Sequence, residues 1–118
     1  MTLPLTPAIL EAAYGYLKAT PPFRSWGLPP SDEVRFVVAA DKGLSGWHIH
    51  KAGGHDIAIS SSVIGHTSSL IPVMAHEMVH LYQAHKKTFT RNTQHNAEFK
   101  KLMARVSKYH GFDPKMFT

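Results

Sequence analysis

The sequence predicts an α+β fold. Three observations carry this: a capped helical period near the start, three short β-type runs separated by glycine-containing turns, and two helical stretches after them. A length of 118 residues with 43% apolar content suits a single domain over 1–118. A chain of that size buries roughly two-thirds of the surface it exposes when unfolded.

The elements follow in order. Thr6 is placed to cap a helix with Pro7 at its first position, and Ile9, Leu10, Ala13, Tyr16 and Leu17 form its inward stripe. Thr20, Pro21 and Pro22 end it. Ser25 to Pro30 is a stiff loop whose Trp26 is expected to pack over the core. Val34 to Ala40 is strand-like, Asp41 to Gly46 a turn, and Trp47 to Lys51 alternates as a second strand. Ala52 to Asp56, including His55, reads as another turn, leading into a third strand from Ile57 to Val63. If Ile57 and Ile59 face inward, the backbone edge of that strand is free to pair with an extended chain. Thr67 and Ser68, after His66, are helix-cap residues. The order is α-β-β-β-α-α.

The first of the two late helices holds the chemistry. Residues 76–80 read His76-Glu77-Met78-Val79-His80, inside the apolar run Leu70 to Tyr82. On a helix this H-E-x-x-H spacing sets both imidazoles one turn apart on one face, within reach of one metal ion. Glu77 lies ~60° around the helix from His80, close enough to meet a water on that metal. With nine His and four Glu in the chain, composition produces the pattern by chance only roughly 0.02 times. A carboxyl and two imidazoles in so apolar a segment need a partner, and zinc supplies one.

A catalytic zinc takes three protein ligands and leaves a fourth position for water. The extended pattern with Gly at 83 and a third His at 86 fails, because those positions hold Gln83 and Lys86. His85 points ~140° away from His80 and reads as a histidine at the helix C-terminus. After the polar loop from Lys86 to Gln94, Asn96 is placed to cap the next helix, so His95 would hang from that helix start and reach back. Glu98 is the alternative third ligand, although the Asn-Glu-x-x-x-Asp setting of thermolysin-like enzymes is absent. His48 and His50 on one strand face, with His55, are a candidate second metal site set against a reading as surface residues.

Charge is unevenly placed. The net +5 gathers in residues 86–118, where eight Lys/Arg meet only Glu98 and Asp113. On the last helix Phe99, Leu102, Met103, Val106 and His110 share the inward spacing, while Lys100, Lys101, Arg105 and Lys108 cluster opposite. That basic face suits either plain solvation or contact with nucleic acid or an acidic protein. No apolar run reaches membrane-spanning length, no signal-peptide layout opens the chain, and there is no cysteine, so a cytoplasmic location is expected.

Ala75 to Gln83, followed by His95-Asn96-Ala97-Glu98-Phe99, resembles the SprT-like (Spartan-type) zinc metallopeptidases. Their pattern is H-E-x-x-H, a loop, then His-Gly-x-x-Phe opening the next helix, with Asn96 here in the place of the Gly. The resemblance implies a minimal zincin-like domain, its small antiparallel or mixed sheet packed on the metal-binding helix, without the cysteine-based ribbon many members carry. It implies one Zn²⁺ per chain on His76, His80 and His95, with Glu77 as the general base of an endopeptidase acting on a protein or peptide substrate. By analogy with the Spartan branch, the substrates would include DNA-associated proteins, engaged through the basic C-terminal helix. The alternative is a nucleic-acid-binding protein with a structural or weakly active zinc site.

Overall fold

The computed structural model describes residues 5–39, 46–51, 54–60, 67–88 and 95–112, without the side chains of 49–51 and 67–69. Helix α1 (Pro7–Lys18) leads through two short 3₁₀ turns to strands β1 (Val34–Ala39), β2 (Gly46–Lys51) and β3 (Gly54–Ser60), then to helices α2 (Thr67–His85) and α3 (Ala97–His110). The expected turn over 41–45, the strand extension beyond Ser60, and His66 lie outside the described residues.

Helix α1 starts where its cap requires. Thr6 Oγ1 accepts a hydrogen bond from the Ile9 N–H at 3.2 Å, and Pro7 occupies the first turn, where its missing N–H costs nothing. Its inward stripe differs from the expected one. Leu10, Ala13, Tyr14 and Leu17 are buried, whereas Tyr16 is 56% exposed. Tyr14 sits one turn after Leu10, and its phenol donates to the Pro29 carbonyl, so the polar tip of the ring is satisfied inside. Trp26 of the following loop packs on Phe23 and stacks on Tyr82 of α2 at 4.3 Å, as the stiff-loop reading expects.

The sheet is mixed, in the order β1-β3-β2. β1 runs parallel to β3 and β2 antiparallel to it, with His48 opposite Ile57 and His50 opposite His55. This corrects the expectation of a free edge on the third strand. β3 is central, paired on both sides, and buried from His55 to Ser60. The short connection from Lys51 to Gly54 makes β2 and β3 neighbours, but either could have received β1. β3 receives it, and Asp56, Ala58 and Ser60 on its second face are buried as well as Ile57 and Ile59 on its first. Among the described residues the outer edges belong to β1 and β2. His55, expected in a turn, is part of β3.

Helices α1 and α2 cover the face that carries Phe36, Ile57 and Ile59, and the core continues onto Phe99, Met103 and Val106 of α3. Gly46 lets α2 come close to the edge strand. A Cβ at that position would stand 3.0 Å from the Ala58 carbonyl oxygen, 3.0 Å from Ile59 Cδ1 and 3.1 Å from Val73 Cγ1. Val73 is one turn before His76, so this contact sets the metal-motif helix against the start of β2. Gly46→Ala is therefore expected to lower stability by about 1–3 kcal/mol, read from urea unfolding. An unchanged midpoint would contradict the close approach.

Candidate metal centre

Helix α2 is built mostly from side chains that the core removes from water: Met74, Ala75, Met78, Val79 and Leu81 are all 0% exposed. Interleaved with them are His76, Glu77, His80 and Gln83. His76, His80 and Gln83 stand at i, i+4 and i+7, one stripe along the helix, and that stripe meets the start of α3. There Asn96 Oδ1 accepts from the Phe99 N–H at 2.9 Å, an N-cap that fixes where α3 begins. His95 is the residue immediately before the cap.

The three imidazoles converge. Ring centroids lie 4.8 Å apart for His76–His80, 4.9 Å for His76–His95 and 5.1 Å for His80–His95. One ring nitrogen from each falls within 4.8 Å of the others, and the Nε2 atoms of His76 and His80 are 3.1 Å apart. Two imidazoles bound tetrahedrally at ~2.0–2.1 Å would place their nitrogens ~3.3–3.4 Å apart, so this pair needs only a few tenths of an ångström of adjustment. Phe99 lies under all three rings, stacked on His95 at 4.3 Å and His80 at 4.5 Å and edge-on to His76 at 5.0 Å. A buried phenyl at this point limits ring rotation without competing for the nitrogens. The cluster can hold a metal ion.

Electrostatics match a cation. Burial, then the neighbouring His80 and His95, hold the His76 imidazole down at about 3; burial, then His95, hold His80 at about 4. His95 is also lowered, by burial and then by Lys100. All three are therefore neutral donors at pH 7, the form a metal requires. Glu77 is 3% exposed, and burial alone pushes its carboxyl up to about 8. A carboxyl at that depth is protonated at neutral pH unless a positive charge sits near it.

Glu98 is engaged away from the imidazoles: Oε1 accepts from Gln83 Nε2 at 2.9 Å and from the Thr88 hydroxyl, and Oε2 pairs with Lys86 Nζ at 3.3 Å. Those hydrogen bonds, Thr88 first, hold its carboxyl below the usual range. His85 ends α2, exposed, with its ring 6.1 Å from that of His55. His48 Nε2 and His55 Nδ1 are hydrogen-bonded at 2.9 Å, and His55 is buried, which differs from a surface reading; the side chain of His50 lies outside the described residues. Lys100, Lys101, Arg105 and Lys108 are exposed on α3. His110 packs against Phe23 and Phe112 and meets the Thr20 hydroxyl at 3.1 Å, while Tyr109 is 56% exposed. The role of Gln83, which bonds both Asn96 and Glu98, was not read from the sequence, although its i+7 spacing from His76 on a buried stripe was the signal available.

Fold and site define a small α+β protein whose longest helix carries two of three converging imidazoles and a buried carboxyl. The chain belongs to the SprT-like family, whose model matches residues 25–117. No curated protein matches its sequence. Among the described residues no helix is long and apolar enough to cross a membrane.

Without metal, these shifts shape the stability profile. His76 and His80 titrate near 3 and 4 in the folded chain but near 6.5 unfolded, so the unfolded chain binds more protons in between and stability rises with pH up to about 6.5. Glu77 acts oppositely: the folded chain keeps, up to about 8, a proton the unfolded chain releases near 4.5, so stability falls across that interval. The lowered imidazoles, His95 among them, outweigh one carboxyl below about 6.5, and the raised carboxyl of Glu77 dominates above it. Urea unfolding in a chelator is expected to show maximal stability near pH 6.5 and a decline toward pH 8, with Glu77→Gln removing the decline. A rise continuing to pH 8 in the parent protein would contradict this balance.

Proposed function

We propose that this chain is a zinc-dependent endopeptidase that hydrolyses peptide bonds of protein substrates. The observation that carries this reading is the convergence of neutral His76, His80 and His95 around one point, with buried Glu77 beside His76 in the same helix. Three imidazoles are a donor set that zinc takes in catalytic sites while keeping one position open. When bound, zinc supplies Lewis acidity, polarising a peptide carbonyl and lowering the pKa of water to ~7.

The chain's own residues supply the rest. Glu77, whose carboxyl burial raises to about 8, would be the carboxylate once a dication sat on the three imidazoles. That carboxylate accepts the proton of the water attacking the carbonyl and passes it to the departing amine nitrogen. Phe99 keeps the three imidazoles oriented, and the apolar flanks of α2 keep bulk water from the proton path. β2, outermost among the described residues and set against α2 at Val73, offers an edge along which an extended polypeptide can pair. Main-chain pairing of that kind supports a peptide substrate with broad sequence tolerance.

The proposed substrates include DNA-associated proteins, which the exposed basic face of α3 would engage. Lys100 lies close enough to His95 to lower its pKa, so the exposed face of Lys100, Lys101, Arg105 and Lys108 begins beside the metal centre. The same face supports the alternative, a nucleic-acid-binding protein with a structural zinc site. Cleavage separates the two. Glu77→Gln is expected to retain one equivalent of zinc and lose about 10²–10⁴-fold of proteolysis, measured on a DNA-binding protein with and without DNA. A Glu77→Gln protein as active as the parent would end this mechanism, and a parent that binds DNA but cleaves nothing would favour the alternative.

A further inference from the structure

Two of the three imidazoles come from one rigid helix, and the third comes from another element. What aligns them is visible at Gln83. Its side chain is fully buried, yet its Nε2 donates both to Asn96 Oδ1 at 3.1 Å and to Glu98 Oε1 at 2.9 Å. Asn96 Oδ1 is the same atom that caps α3 through the Phe99 N–H. Its Nδ2 donates to the Thr88 carbonyl at 3.3 Å. The backbone closes the clasp. Lys87 takes φ 63°, so the Thr88 N–H returns to the Gln83 carbonyl at 2.8 Å and the Lys87 N–H to that of Ala84 at 3.2 Å, a Schellman ending of α2. The Thr88 hydroxyl then donates to Glu98.

Packing alone does not account for an amide here. Gln83 Oε1 is buried with no hydrogen-bond partner, a cost that an apolar side chain of similar size would avoid. Both donor hydrogens, by contrast, are committed to the first turn of α3. Gln83 also stands at i+7 from His76 and i+3 from His80, so it shares the face of the two ligands. We propose that Gln83 is a positioning residue that carries the frame of α2 onto His95 and so sets the third metal ligand. This rests on the metal-centre reading above. The hydrogen bonds hold Asn96, and His95 is the adjacent residue, left with little freedom beyond its own side-chain torsions, which Phe99 restricts by stacking.

The test is a double-mutant cycle on Co²⁺ affinity, measured by competition with a chromophoric chelator, together with the visible spectrum of the bound ion. The proteins are the parent, Gln83→Met, His95→Ala and the double variant. Gln83→Met is expected to weaken Co²⁺ binding about 10–100-fold and to dim the tetrahedral absorption bands. In the His95→Ala background the same change should alter affinity by less than about twofold, because the ligand it sets is already gone. Equal losses in both backgrounds, or no loss in the parent, would overturn the positioning role. Where Gln83→Met does not fold, Glu98→Ala tests the half-exposed end of the same clasp. It should weaken binding in the parent background alone, and a loss that persists without His95 would count against the proposal. If His95→Ala binds Co²⁺ as tightly as the parent, the three-histidine reading itself fails, and this inference falls with it.

Discussion

Helix α2 has to be the hydrophobic spine of the fold while carrying two imidazoles, a carboxyl and an amide. Each polar group taken out of water costs free energy unless something meets it. The helix resolves this by periodicity: Met74, Met78 and Leu81 are buried in the core, and His76, His80 and Gln83 form a polar stripe toward α3. Glu77 is left deep and protonated at neutral pH in the metal-free chain, and the imidazoles are kept neutral. A site with this charge state is prepared for a cation, because no proton has to leave His76 or His80 at pH 7 before a metal can bind.

The third imidazole depends on a different device. His95 precedes the α3 cap, so its place follows from where that helix starts, and the start is held by Asn96, Gln83, Glu98 and Thr88 acting together. Glu98 illustrates how a good ligand type can be committed elsewhere: its oxygens serve the clasp and Lys86. Behind α2, Gly46 allows the close contact with β2 that ties the same helix to the sheet. The site is thus supported on two sides, by β2 at one end of the motif and by α3 at the other.

Much of this was legible in the residues, and the reason is local. The Thr6–Pro7 start, the Asn96 cap and the H-E-x-x-H stripe depend on spacing within one helical turn, which a sequence displays directly. What was not legible depends on choices between distant elements. Which strand β1 joins is a pairing between distant segments, and alternation from Ile57 onward shows neither that partner nor the burial of Asp56, Ala58 and Ser60 on the other face. Tyr14 and Tyr16 exchange inside for outside because the Pro29 carbonyl, fifteen residues away, satisfies one phenol. His55 belongs to β3 through backbone pairing with Val34 and His50, and its buried ring is hydrogen-bonded to His48, neither of which alternation displays. Gln83 is not legible beyond packing because its partners, Asn96 and Glu98, lie across the loop from it.

X-ray absorption at the zinc edge of the purified chain tests the central claim most directly, since it counts the imidazoles around the metal. One zinc per chain with three imidazole nitrogens at ~2.0–2.1 Å is the expected result. Two imidazoles with a carboxylate in place of His95, or zinc well below one equivalent, would contradict the convergence of His76, His80 and His95 as a single metal centre.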